Sequence, residues 1–415
     1  IVIFSALALL ISSCTKQESE NKVKDMNIKL SWGMITNMLE GESSCRAVFT
    51  IQNNANQTLG NSGWAIYYSQ SPREITNAPN TKAIVKHISG DWFKIIPEQG
   101  FSLATEEKLV VHYDLSHYLI NETDAPLYPY IVRYDENGNE TSIEKISDYT
   151  VFPFEKPEQI NRGANDVVPI PTPANRYQNN QGLSLLADNT LHKIIPTPVH
   201  VNPEDGNLNI TNALKIYYSS ELKSEAIYIR EMLQNITGTK FSILEKDYKN
   251  GKAIVLNSKP LNINGISSEA YMLEISSNKG VMITGSDPTG VFYGIQSLMS
   301  LMPLETFQTS QNTITVPNIR VEDAPRFPYR GQHLDVCRNF FAKSTVLKLL
   351  DLMAFYKLNH LQLYLSEDEG WRIEIEDLPE LTAVGAQRQH ISKDAAALHP
   401  SYGSGPNSYE KDAHG

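Results

Sequence analysis

The sequence predicts a chain of three folded parts: an N-terminal β-sandwich, a small α+β domain and the opening of a parallel α/β barrel. Three observations carry this expectation. Residues 27–154 consist of short β-branched and aromatic runs between turn dipeptides such as Gly60-Asn61 and Asn137-Gly138, the pattern of an antiparallel all-β fold. Residues 191–325 mix such runs with two stripes of apolar residues at helical spacing. Residues 330–388 read strand, helix, strand and charged loop, the βαβ unit in which a helix links two parallel strands.

The 415 residues are 41% hydrophobic and 20% charged, an ordinary composition for a globular protein, with room for two or three cores at roughly 100–200 residues each. A net charge of −11 and no basic patch exclude a nucleic-acid surface and favour a neutral or positively charged ligand. Of the three cysteines, Cys45 and Cys337 fall in different expected domains, so no disulfide framework is predicted. No C-x-x-C or His/Cys spacing is present, so neither metal nor cofactor is expected.

Residues 1–26 read as a signal and tether. The opening IVIFSALALLISSC is apolar but shorter than the roughly 20 residues that span a bilayer. It ends in Ile11-Ser12-Ser13-Cys14, small residues before a cysteine, and looks like a bacterial lipoprotein signal. Cys14 would then be the lipid anchor, the polar TKQESENK its tether, and the bacterial cell envelope its location. An ordinary secretory signal that happens to end in Cys is the alternative. The chain starts at Ile1 without a Met or a basic segment, so it is expected to be incomplete at this end.

Within the sandwich, Cys45, Ala47, Phe49 and Ile51 alternate with Arg46, Val48 and Thr50, and Trp64, Ile66 and Tyr68 share a face. Trp32, Trp64 and Trp92 could stack on sugar rings, but aromatic residues in a sandwich more often fill the core. Asp135-Glu136 precedes Asn137-Gly138 and is expected in a hairpin turn, not as a catalytic pair. Residues 155–190, rich in Pro, Asn and Gln, read as a semi-stiff linker.

In residues 191–325, Leu222, Ala226, Ile229, Leu233 and Ile236 form a helical stripe that Gly238 should end. Strands are expected over 214–220, 240–245, 253–257, 271–276 and 281–284, with a turn at Asn278-Lys279-Gly280. Asp287 followed by Pro288 is an N-cap with proline at the first helical position, and Val291, Ile295, Leu298 and Met302 line that helix. A sheet with two helices on one side follows.

In residues 326–415 the first barrel strand should carry Asp335 and end before Arg338. A helix opening at Lys343 or Ser344 should lay Val346, Leu349, Leu350, Met353 and Tyr356 on the sheet. HLQLYLS then forms a buried strand that leads to Glu367, Asp368 and Glu369. Chemistry collects at the carboxyl ends of barrel strands, so Arg338 and these acids should face one pocket. Asp335 is expected to be a hydrogen-bonded scaffold residue. Trp371 should pack, and His333 and His360 should be hydrogen-bonded and not ligands.

These stretches contain Arg330-Gly331, Leu334-Asp335 to Arg338, LMAFYKLN at 352–359, the acidic pair before Gly-Trp-Arg-Ile-Glu-Ile at 370–375, and PELTAVGA at 379–386. In these motifs the chain resembles the family 20 glycoside hydrolases, typified by β-N-acetylhexosaminidases. NSGWAIYYS and SGDWFKIIPEQGFSL resemble that family's chitobiase-type N-terminal domain, often described as carbohydrate-binding, and residues 191–325 resemble its small α+β domain.

The resemblance implies a (β/α)8 TIM barrel, of which only the opening part is expected here, since such barrels take about 250 residues. It implies exo-hydrolysis of terminal N-acetylhexosamine from β-linked glycans, with the sugar's own 2-acetamido group as nucleophile. Arg338 would hold sugar hydroxyls; Glu367 stands where the family has its first acid, often Asp, and Asp368 at the second. Either Glu367 reaches Arg338 or Asp368 takes its place. The family often has His where this chain has Tyr364. The family's Asp-Glu pair sits in a His-x-Gly-Gly-Asp-Glu motif that this sequence lacks, and Asp368-Glu369 is not expected to replace it. The 415 residues alone are therefore expected to be inactive. A non-catalytic surface glycan-binding lipoprotein is the second reading.

Overall fold

The computed structural model describes residues 27–39, 44–71, 73–79, 82–163, 165–169, 171–187, 193–392, 397–411 and 413. Cys14 lies outside them. The described residues fall into two compact units, those up to 169 with those from 369 onward, and those between 171 and 368. Among the described residues no helix is long and apolar enough to cross a membrane.

The first unit is built on ten strands: β1 (Ile28–Thr36), β2 (Ser44–Asn53), β3 (Trp64–Ser69), β4 (Ile75–Asn77), β5 (Ala83–Ser89), β6 (Trp92–Pro97), β7 (Lys108–Ser116), β8 (Leu127–Tyr134), β9 (Glu140–Lys145) and β10 (Tyr149–Val151). They form two five-stranded sheets, β10-β1-β2-β7-β4 and β5-β6-β3-β8-β9. The period-2 pattern of β2 buries Cys45, Ala47, Phe49 and Ile51 and leaves Arg46, Val48 and Thr50 half-exposed. Those side chains meet Ile66, Tyr68 and Phe93 of the other sheet in one core. Burial in that core pushes the Cys45 thiol up to about 12.

Trp32 and Trp64 are core residues, and the buried Trp32 indole donates to the Tyr113 hydroxyl at 2.8 Å. Asp135 occupies the β8–β9 turn, where one carboxylate oxygen accepts the backbone N–H groups of Asn137 at 2.9 Å and Asn139 at 2.8 Å. The first residues of the expected linker are tied to the sandwich. Ile160 packs against its core, and the Gln159 amide donates to the Met34 carbonyl at 2.7 Å.

The second unit contains a seven-stranded mixed sheet of β11 (His200–Ile210), β12 (Ile216–Tyr218), β13 (Ile243–Glu245), β14 (Ala253–Ser258), β15 (Tyr271–Ser276), β16 (Gly280–Gly285) and β17 (Ile314–Asp323), in the order β11-β17-β15-β16-β14-β12-β13. Helix Lys223–Thr237 buries Ala226, Ile229 and Leu233 and ends at Gly238 in the left-handed region, φ 69°. Helix Pro288–Ser300 starts at Asp287, whose carboxylate accepts the Gly290 N–H at 2.8 Å. Both helices share one core with the sheet. The pattern did not reveal β11. Its HVNPEDGNLNI is polar and contains Pro and Gly, which an edge strand with a register shift between Pro203 and Asn207 tolerates.

The same unit carries β18 (Gly331–Asp335), helix Lys343–Phe355 and β19 (His360–Tyr364), with β18 and β19 parallel and Asp335 opposite Tyr364. The expected burial of this βαβ unit is only partly met. Met353 is buried, whereas Leu350 and Tyr356 of the predicted inner face and Leu363 of the predicted buried strand are exposed. The reason is local: β18 and β19 form a two-stranded sheet and pair with each other alone among the described strands.

Candidate active-site wall

The carboxyl ends of β18 and β19 hold the polar cluster. Register places Asp335 and Tyr364 side by side, and the chain leaving β18 turns back at once. Asp335 accepts the N–H groups of Cys337 at 2.9 Å and Arg338 at 3.2 Å. That turn presents the Arg338 guanidinium to two acids, the Asp335 carboxylate at 2.5 Å and the Glu367 carboxylate at 2.8 Å. Cys337, buried beneath, directs its thiol to the Tyr364 carbonyl at 3.0 Å.

Tyr364 completes the arrangement. Its hydroxyl donates to Glu367 at 2.6 Å, and the Arg338 guanidinium lies 5.2 Å from the centre of its ring. Glu367 therefore takes two donors on one oxygen, and its longer side chain does reach Arg338. Asp368 is exposed, with its backbone N–H donating to Glu367 at 3.2 Å.

Charge follows geometry. Burial alone would raise the Asp335 carboxyl, but hydrogen bonds from the Arg338 side chain and the two backbone N–H groups, with the Arg338 charge, hold it below the usual carboxylate range. The Tyr364 hydroxyl is pushed up because it donates to Glu367 and sits beside that negative charge. Arg338 is 45% exposed at its side chain, so these pairs add little stability, about 0–1 kcal/mol. Their consequence is orientation. A planar fork pinned on two sides is held in one orientation at the strand ends.

The sequence brings Arg338 to the acids after β19 and leaves open whether Glu367 or Asp368 reaches it; it assigns Asp335 to the scaffold and gives Tyr364 no role. Asp335 is half-buried and touches the guanidinium directly. The three-residue spacing of Asp335 and Arg338 was the available signal. His333 and His360 are exposed: the His333 ring lies 5.7 Å from that of Tyr364, and His360 Nδ1 is 2.6 Å from the Asn359 side-chain oxygen. In the first unit, the half-buried Trp371 donates to the Ile373 carbonyl at 2.5 Å. Among the described residues, the acidic run 367–369 is the one grouping of three groups able to ligate a cation, and its Glu367 is committed to Arg338 and Tyr364.

Two further residues brace these strands from below. Arg330, just before β18, donates to the Lys357 carbonyl at 2.7 Å, the Phe327 carbonyl at 2.8 Å, the Glu269 carboxylate at 2.7 Å and the Tyr293 hydroxyl at 2.8 Å. Lys357, just before β19, is buried, with Nζ 3.1 Å from the Tyr271 hydroxyl and 3.5 Å from Asp323. Burial lowers the Lys357 pKa, against the opposing pull of Asp323. The α+β domain thus grips the root of each barrel strand.

Comparison with known proteins agrees with this architecture. Residues 327–412 match the model of the glycosyl hydrolase family 20 catalytic domain, and residues 191–324 match that family's domain 2. Residues 23–174 match a model described as "Putative carbohydrate binding domain". A β-hexosaminidase of Vibrio vulnificus is 30% identical over 397 residues, covering 93% of this chain and 43% of the relative. An N,N'-diacetylchitobiase of Vibrio harveyi is 29% identical, over 97% of this chain and 46% of the relative. The crystal structure of a GH20 exo β-N-acetylglucosaminidase from Vibrio harveyi in complex with N-acetylglucosamine shares the fold, with a TM-score of 0.67, 22% identity, and coverage of 91% of this chain and 52% of that one. The chain therefore spans about half the length of the relatives it matches.

Proposed function

Because this chain belongs to the family 20 glycoside hydrolases, the β-hexosaminidase and chitobiase family, we propose that the whole protein removes terminal N-acetylhexosamine from β-linked glycans. The observation that carries the proposal is the Arg338 guanidinium, fixed by Asp335 and Glu367 at the carboxyl ends of two parallel strands. In this reading Arg338 donates to sugar hydroxyls, and Glu367 and Asp368 accept from them, forming one wall of the subsite for the terminal sugar. The 2-acetamido group of the substrate attacks its own anomeric carbon, so the protein need not supply a nucleophile. The acid that protonates the leaving oxygen is not among the residues assigned here; the family's His-x-Gly-Gly-Asp-Glu motif does not occur in these 415 residues.

The test is turnover of a chromogenic β-N-acetylglucosaminide by the full-length protein. Activity lost on Arg338→Ala with the fold intact supports the reading. Sugar binding without any turnover would replace it with the non-catalytic glycan-binding protein. We further propose that Cys14 carries a lipid and anchors the protein in a bacterial envelope, as its apolar run and small residues suggest. Labelling with a fatty-acid analogue should mark the wild type and not Cys14→Ala; equal labelling of both would remove the anchor.

A further inference from the structure

The sandwich has a second apolar surface that its core does not use. In sheet β5-β6-β3-β8-β9, Ile66, Tyr68, Phe93 and Ile131 point into the core, so by alternation Tyr67, Trp92, Tyr130 and Val132 lie on the opposite face. The outer face of an antiparallel sheet is ordinarily polar and wet. Here Tyr67 and Trp92 are 5% exposed, Tyr130 1% and Val132 0%. A row of aromatic rings on a sheet is the form of a sugar-stacking platform, so what covers it decides what the face is for.

The cover is the chain's own later segment. The His390 ring inserts edge-on among Tyr67, Trp92 and Tyr130, with ring centres 4.7, 5.4 and 5.6 Å away. Both its nitrogens are engaged: Nδ1 is 3.0 Å from the Tyr130 hydroxyl, and Nε2 is 3.1 Å from the Glu140 carboxylate. His399 lies parallel to Trp92 at 5.6 Å and 7°, where a sugar ring would stack, and Tyr409 stacks on Tyr130 at 4.7 Å. The segment is also tied to itself. Buried Arg388 donates through Nε to the Glu369 carbonyl at 2.7 Å and through a terminal nitrogen to the His399 carbonyl at 2.5 Å, and the His390 N–H donates to the Tyr409 carbonyl at 3.0 Å. The Asp91 carboxylate accepts the Tyr402 N–H across the interface.

We infer that this aromatic face is a docking surface for the chain's own residues 388–392 and 397–411, with His390 as the anchor, and not a platform for glycans. Trp92, one of the three tryptophans that sequence allowed to stack on sugar, is spent on His399 and His390. The inference is independent of the hydrolase reading, because its test reads docking and not turnover.

The experiment is hydrogen exchange on the 415-residue chain, with and without millimolar chitotetraose. Peptides covering 386–392 and 398–411 should exchange at least tenfold more slowly than unstructured chain in the wild type. His390→Ala should speed them at least tenfold while β3 and β8 keep their protection. Tyr130→Phe, which retains the ring stacks and loses the hydroxyl, should give a smaller rise in the same peptides. Chitotetraose should change nothing in β6, β8 or the segment. Unprotected wild-type peptides, or protection that survives His390→Ala, would overturn the inference. So would chitotetraose protecting β6 and β8 while releasing the segment, since glycan would then be the occupant.

Discussion

Removing the Arg330 side chain tests how the barrel strands are held. The guanidinium is 16% exposed and meets a Glu269 carboxylate that is 21% exposed, so both charges are largely out of water. Arg330→Ala strips Glu269 of its cation and leaves the Lys357 and Phe327 carbonyls and the Tyr293 hydroxyl each without a donor. Breaking a buried pair costs about 3–5 kcal/mol, and residual water access to Glu269 favours the lower end. About 3 kcal/mol corresponds to a little over a hundredfold in an opening equilibrium. Arg330→Lys keeps the charge but cannot reach four acceptors at once, and should lose about 1–2 kcal/mol. Hydrogen exchange of β18 and β19 in the 415-residue chain is the assay, since it reads the opening of these two strands directly. A change below threefold for Arg330→Ala, or equal effects of Ala and Lys, would refute the idea that this fork fixes the strand roots.

Three other outcomes are expected. Asp287→Ala removes the acceptor for the Gly290 N–H and also for the Glu269 N–H at 2.8 Å, and should lower protection of helix Pro288–Ser300 by about 1–2 kcal/mol; unchanged exchange there would contradict the cap. Arg338→Lys in the full-length protein should weaken amino-sugar affinity by about 10–100-fold, because an ammonium cannot donate two parallel bonds, while the urea midpoint barely moves; titration calorimetry separates the two.

The third outcome is a pH dependence of docking at His390. Burial lowers its pKa from 6.5, Glu140 opposes that and Lys94 adds to it, and the other groups facing the ring are Tyr67, Trp92 and Tyr130. Other titratable groups at this surface are Tyr134, which shares a hydrogen bond with Tyr67, Tyr409, which stacks on Tyr130, His399, which stacks on Trp92, and Asp91, which accepts the Tyr402 N–H. The docked ring prefers to be neutral, so docking is fully present above pH 6.5 and weakens as the pH falls below it. Exchange in the segment, corrected for intrinsic rates, should rise between pH 7.5 and 5.5 in the wild type and not in His390→Gln; equal rises in both would contradict it.

Local sequence determined the elements whose cause is itself local. The period of two in β2, the Asp287-Pro288 helix start, the Gly238 helix stop and the Asn137-Gly138 hairpin each depend on residues within one turn of chain, and each appears where expected. The Arg338 and Glu367 encounter was also legible, because two parallel strands joined by one helix must deliver their ends to the same side. Tertiary structure alone decided the rest. Trp64 and Trp92 look alike in sequence, yet one fills the sandwich core and the other lies under His390 and His399, more than 290 positions away. Arg330 and Lys357 became clamps only when β15, β17 and helix Pro288–Ser300 arrived beside them. Periodicity reports which face of an element is apolar; what covers that face is set by packing between residues far apart in the chain.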